Sequence, residues 1–236
     1  MWFLILYNKV SISYGARGSD MTINTEDLLD SIMESLNRIE YIKAEDIPDI
    51  DLYMDQVTTF MGERLKSTLR NAEDDKILTK TMINNYAKND LLPPPVKKKY
   101  TKNHVLLLIF IYYYKGVLSI SDIQALLGPL TEKYFGKQEE PNLETIYESL
   151  FSCEEELVKV LKQDVLEKFK LAGEICADAS VQDDEMAKLF SFISLLSFDV
   201  YVKKLLIEKM IDGFSQDMKK EEAKPDKKAE KKQGKE

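Results

Sequence analysis

LTKTMINNYAKNDLLPPPVKKKYTKNHVLLLIFIYYYKGVLSISDIQALL, residues 78–127, decides the fold. It reads as a short polar-faced helix, a proline turn, a lysine-rich hairpin, an apolar helix and a capped amphipathic helix. The first helix is expected from about Thr79 to Asn89, with the hydroxyl of Thr79 or Thr81 accepting a free backbone N–H at its start. Met82, Ile83 and Tyr86 form its inward side. Thr81, Asn84, Asn85 and Lys88 follow helical spacing and share the other face, next to Lys80. That face carries hydroxyl, amide and ammonium groups and no carboxylate. Asparagine pairs with an adenine edge through two hydrogen bonds, worth roughly 1–3 kcal/mol of discrimination. A solvated helix face is the plain alternative.

Pro93-Pro94-Pro95 fixes the backbone and disfavours helix at the preceding residue, so the helix must end near Asp90 or Leu91. The stiff turn aims Val96-Lys97-Lys98-Lys99-Tyr100-Thr101-Lys102, which reads as a short β-wing laid along phosphates, anchored by its tyrosine. Charge sharpens this. Residues 76–104 hold seven lysines against one aspartate, a net +6 with His104 neutral. The whole chain carries −8, which leaves −14 for the remainder. One basic patch on an acidic protein is a focused anion-binding surface, not a general polyanion coat.

Val105–Tyr114 is apolar on every side, the pattern of a helix that is buried all round. Its run stops at Lys115-Gly116, far short of the ~20 apolar residues that span a bilayer. It is therefore the expected central core helix, starting at Thr101 or Lys102-Asn103. His104, the only histidine, falls at that start and is expected there as a structural residue. Gly116 is expected to end the helix. Ser119 and Asp122 then fit a capping box ahead of the stripe Ile120, Ile123, Leu126, Leu127 and Leu130.

TMINNYAKNDLLPPP, followed by KKKYTKNHVLLLIFIYYYKGVLSISDIQALL, resembles the DNA-binding domain of the MerR family of transcriptional regulators. In that family a recognition helix ending in an aromatic residue precedes a Leu-Leu pair and a proline. A basic wing ending in tyrosine, an apolar helix and a G-x-S-x-x-E/D-I-x-x-L-L helix follow. Tyr86, Leu91, Leu92, Tyr100, Gly116, Ser119, Asp122, Ile123, Leu126 and Leu127 occupy those places, with one extra residue in Val117-Leu118. Residues from about Ile47 to Tyr134 are also similar to an uncharacterised bacterial domain-of-unknown-function family regarded as MerR-like. The resemblance implies a mainly α, winged helix-turn-helix fold that binds double-stranded DNA. The residues it points to are Lys80, Thr81, Asn84, Asn85, Lys88, Lys97, Lys98, Lys99, Tyr100 and Lys102. One departure stands out: where the family usually carries arginine, this chain has Asn84, so the target sequence does not carry over.

The rest of the chain is organised around that unit. Residues 1–20 are expected to be a mis-called or disordered extension, because Met21 opens a conventional polar N-terminus and Trp2–Tyr7 lacks the basic start of a signal peptide. Residues 21–46 hold an N-terminal helix with Leu28, Leu29, Ile32, Met33, Leu36 and Ile39 at helical spacing. Residues 47–135 are the winged domain, opened by a scaffold helix from about Asp51 to Leu69. Asp49, Asp51 and Asp55 invite a metal reading, but acidic residues are also favoured in a first helical turn. Residues 71–76 read as a charged loop. Residues 142–214 are helical and rich enough in apolar residues either to make a homodimer, as the resemblance favours, or to fold back as a bundle. Residues 217–236 alternate lysine and glutamate, and are expected to be disordered.

Three functions compete. A DNA-binding transcriptional regulator leads. A helical protein–protein interaction module that keeps the winged fold without specific DNA binding comes second. An enzyme is disfavoured, since no phosphate loop, nucleophile elbow or HExxH motif is present. Cys153 and Cys176 have no paired spacing, which argues against a thiolate metal sensor and fits a reducing cytoplasm. No cofactor, metal or membrane association is expected.

Overall fold

The computed structural model describes residues 24–37, 41–69, 77–181 and 183–222. The expectations for residues 1–20, the loop 71–76 and the end of the tail lie outside the described residues. In chain order the elements are α1 (Thr25–Leu36), β1 (Leu52–Tyr53), α2 (Met54–Leu65), α3 (Lys80–Lys88), β2 (Lys99–Tyr100), α4 (Lys102–Tyr114), α5 (Ile120–Tyr134), α6 (Leu143–Phe151), α7 (Glu154–Asp178) and α8 (Glu185–Glu222). The protein is mainly helical, with one short two-stranded antiparallel sheet among the described residues.

Every side chain of α4 from His104 to Tyr113 is buried, as an apolar run with no polar face demands. Each large apolar side chain enclosed in this way contributes roughly 1.5–3 kcal/mol. Thr101 is the cap, and its backbone N–H donates to His104 Nδ1 at 3.0 Å. Around α4 pack Val57, Met61 and Leu65 of α2, Ile83 and Tyr86 of α3, Ile123 and Leu127 of α5, and Leu143, Tyr147 and Phe151 of α6. Phe110 meets Tyr147 edge-on with ring centroids 5.4 Å apart, and Phe151 stacks on Tyr41 at 4.5 Å. Two of the buried tyrosine hydroxyls have partners within the chain, where an unpaired one would cost about 1–3 kcal/mol. Tyr147 donates to the Ile42 carbonyl, and the Tyr112 hydroxyl pairs with that of Thr68. Burial pushes the Tyr113 phenol up to about 12.

α4 ends at Tyr114 with Lys115 as its cap, so Gly116 falls just past the end as expected, without a left-handed conformation; Gly136 alone among the described glycines has a positive φ, at 72°. The N–H groups of Val117 and Leu118 turn back to the Tyr114 carbonyl at 2.9 and 2.8 Å. Two local expectations need correction. Leu52 and Tyr53, read as helix, are a strand paired with Tyr100 and Lys99. Ile120, placed on the buried stripe of α5, is exposed, because it is the first residue after the cap and points away from the core. The cap itself is as expected: Ser119 N–H donates to Asp122 Oδ2 and Asp122 N–H to Ser119 Oγ, both at 3.2 Å.

The core around α4 begins at Ile42 and runs to Phe151, so α6 packs with it and the expected boundary at 135 falls inside it. A second core joins Leu36 of α1, Val165 and Ala172 of α7, and Phe192 of α8. The α1 N-cap is Asn24, whose side-chain Oδ1 accepts from the backbone N–H groups of Glu26 and Asp27. Thr25 N–H donates to Glu185 at 3.0 Å, tying the starts of α1 and α8 together. Ile207 and Ile211, further along α8, reach back to the first core. That helix continues through residues 217–222, the first part of the stretch expected to be disordered. Lysine and glutamate are good helix formers, and here they extend a helix already fixed by packing. No helix of the described residues is long and apolar enough to cross a membrane.

Candidate nucleic-acid interface

α3 starts where its sequence directs: the Thr79 hydroxyl accepts from Met82 N–H at 3.1 Å. Ile83 and Tyr86 turn inward, while Thr81, Asn84, Asn85 and Lys88 are all exposed. The helix closes on Asp90, which has φ 54°, and the N–H groups of Leu91 and Leu92 turn back to the Tyr86 carbonyl at 2.9 and 3.2 Å. Leu91 and Leu92 are then buried, fixing the direction in which the prolines leave. The Gln124 amide of α5 donates to the Asn89 carbonyl at 3.1 Å and props this end.

Beyond the prolines the chain makes a two-residue hairpin turn. Lys99 N–H donates to the Val96 carbonyl at 3.0 Å, and the two central residues, Lys97 and Lys98, have φ of 52° and 63°. Two positive φ values suit a turn whose twist matches its strands, and asparagine-glycine is the sequence that adopts it without strain. Lysine at both places costs about 1 kcal/mol each. The turn therefore holds two exposed cations where the backbone favours other residues. β2 next pairs with β1, with Tyr53 opposite Lys99 and Leu52 opposite Tyr100. The pairing seats the hairpin against the start of α2.

The structure divides the ten expected residues. Thr81, Asn84, Asn85, Lys88, Lys97 and Lys98 are exposed, and Lys99 is half-buried with its ammonium 5.4 Å from the Tyr53 ring centroid. Three others are otherwise engaged. Tyr100 is 2% exposed and sits against His104, so it anchors the strand from inside and offers no contact surface. Lys102 bonds Glu144 at 2.7 Å and Asp49 at 3.2 Å, cross-linking the start of α4 to α6 and to the chain before β1. Burial alone would lower the Lys102 pKa, but the two carboxylates outweigh it and raise it. Lys80 is exposed but pairs with Asp55 at the start of α2. Lysine in a polar run gave no sign of its carboxylate partners, which come from segments 25 to 53 residues away.

The Asp55 pair also places the beginning of α3 beside the beginning of α2, and Tyr53 of the adjoining strand meets Lys99. The start of α3 and the lysine hairpin thus meet across one short segment, residues 53–55. Sequence reading overlooked Tyr53. Its signal was the pair of residues ahead of α2, one apolar and one amphipathic, which reads equally as strand or helix start.

His104 lies behind this surface, 2% exposed, between the rings of Tyr100 and Phe135 at 5.5 and 4.8 Å. Because Nδ1 accepts from Thr101 N–H, the neutral ring carries its proton on Nε2. Nε2 has no hydrogen-bond partner among the described residues. Burial lowers the pKa of His104, opposed by the nearby carbonyls of Pro94 and Pro93 and by the Asp51 charge. The ring supports the joint between the proline turn, β2 and α4. Among the described residues no group of three histidine, cysteine, aspartate or glutamate side chains is placed to hold a metal ion.

Residues 42–150 match a family model described as a domain of unknown function, DUF1836. Those limits nearly coincide with the core around α4, from Ile42 to Phe151. No curated protein and no solved structure matches the chain.

Proposed function

We propose that the protein is a duplex-DNA-binding transcriptional regulator built on a MerR-like winged helix-turn-helix. α3 acts as the recognition helix and the Val96–Lys99 turn as the wing. The observation that carries this is the exposed, carboxylate-free face of Thr81, Asn84, Asn85 and Lys88, joined through residues 53–55 to the exposed lysines of the hairpin. The lysines take phosphates and set register, and the asparagine amides read base edges. The protein acts in the cytoplasm and performs no chemistry on its ligand.

A homodimer through the C-terminal helices belongs to the same proposal. Phe190 of α8 is 71% exposed, and Met186, Ile193, Phe198, Tyr201, Leu206 and Met210 are exposed along the same helix. Exposed apolar side chains concentrated on one helix in this way mark an interaction site. It equally favours a second reading, an interaction module that uses α8 alone and never binds DNA. Selection from a pool of random duplexes separates the two. A regulator enriches a defined sequence, and Asn85→Ala weakens that preference more than it weakens overall affinity. Recovery of no preferred sequence overturns specific readout and leaves the interaction module.

A further inference from the structure

The outer face of the small sheet carries a row of three side chains. Register places Tyr53 opposite Lys99, and an antiparallel bridge places Val96 on the other side of Lys99. Side chains alternate across a strand, and Leu52 and Tyr100 take the buried face. Tyr53 is 54% exposed and Val96 69%, among the most exposed large apolar side chains of the unit around α4. The row is therefore apolar, cationic, apolar, with Lys97 and Lys98 at its outer edge. The carboxylates nearest in sequence are largely occupied: Asp55 faces Lys80 and Asp49 faces Lys102, leaving Asp51 one residue ahead of the strand.

Free lysines alone would serve a purely electrostatic contact. An exposed aromatic ring and an exposed valine flanking one of them ask for a ligand that alternates apolar surface with negative charge. The sugar–phosphate backbone of a nucleic acid has that alternation, and the lysines select it over a neutral or basic peptide. Resting on the duplex-binding proposal above, we infer that Tyr53 is a backbone-contacting residue. Its ring and Val96 cover deoxyribose faces while Lys99 meets the phosphate between them. β1 exists to hold that ring in line with the hairpin.

The ring's contribution is apolar, so it is separable from that of the lysines by salt. Full-length chain is titrated with fluorescent duplex DNA between about 50 and 300 mM salt, following anisotropy. Tyr53→Ala leaves intact the backbone N–H that bonds Gln56 Oε1 at 2.8 Å, so α2 keeps its start. It is expected to weaken binding about tenfold at every salt concentration, with the slope of log K against log salt unchanged. Tyr53→Phe stays within about twofold of wild type. Lys99→Ala, by contrast, makes the slope shallower by about 0.9. Wild-type affinity in Tyr53→Ala overturns the inference, and so does a slope flattened as in Lys99→Ala, since the ring then acts only through the lysine. A wild-type chain that does not bind duplex at all overturns the duplex-binding proposal, and this inference with it.

Discussion

α4 and α8 are both rich in large apolar residues and have opposite surroundings. Both carry large apolar side chains on more than one face, though α8 mixes them with lysine, glutamate and aspartate. α4 is enclosed by four helices and the segment before β1, and its buried Tyr112 hydroxyl meets Thr68 inside the chain. α8 buries Phe192 against α1 and α7, and Ile211 against the α4 core, yet leaves Phe190, Phe198, Tyr201, Leu206 and Met210 exposed. Apolarity on more than one face therefore states a demand for burial without saying which chain supplies it. Around α4 that demand is met mostly within residues 42–151, with Ile207 and Ile211 of α8 added. Along α8 it is met only in part.

The comparison breaks most easily at one phenylalanine from each helix. Phe110→Ala should cost about 3–5 kcal/mol, because a filled aromatic core becomes a cavity. Phe190→Ala should change stability by less than about 0.5 kcal/mol in dilute solution. Urea denaturation at low protein concentration checks both. A similar loss for the two variants would mean that α8 is packed as fully as α4. Repeating the measurement at high concentration sharpens the contrast, since a second copy on α8 would make Phe190 matter only there.

Acid should act on the α4 side. The folded pKa of His104 is lowered by burial, so the folded state binds fewer protons than the unfolded chain below about pH 6.5. Stability is full above that value and falls as pH drops from about 6.5 toward the folded pKa, by up to about 1.4 kcal/mol per pH unit. His104→Gln keeps a side-chain acceptor for Thr101 N–H and removes the titration. The stability difference between wild type and this variant should change between pH 7 and 5. A constant difference would show that the ring is not held neutral.

The hairpin offers an effect of opposite sign in two assays. Replacing Lys97-Lys98 by Asn-Gly should raise stability by up to about 2 kcal/mol, because left-handed φ suits those residues. The same change should make the salt dependence of duplex binding shallower by about 1.8. Thermal denaturation and anisotropy read the two. A stability loss would place the turn outside the geometry described. The smallest change comes from Asp55→Asn, which frees Lys80 and removes one negative charge beside the interface. Duplex affinity should rise about two- to threefold at low salt and converge with wild type at high salt.

Much of the α4 unit was legible because its signals are local. Thr79 and Ser119 sit at caps whose geometry depends on three neighbouring residues, and both helices start there. The proline run dictated where α3 ends, and the uninterrupted apolar run of α4 left only burial. What stayed hidden depends on partners distant in sequence. Lys102 looks like a phosphate contact until Glu144 and Asp49 fold against it, and Tyr100 until His104, backed by Phe135, closes over the base of the hairpin. Tyr53 was hidden for the opposite reason: two strand residues followed by a helix carry too little periodicity to separate them. The extent of the core was missed because α6 looks like the start of another helical region until Tyr147 reaches the Ile42 carbonyl.

Salt-dependent binding of duplex DNA by the full chain and by Lys97/Lys98/Lys99→Ala tests the central claim most directly. Wild type should be retained at about 50 mM salt, with log K falling steeply as log salt rises, and the triple variant should lose about 2.7 from that slope. Equal retention and equal slopes for the two proteins would contradict it.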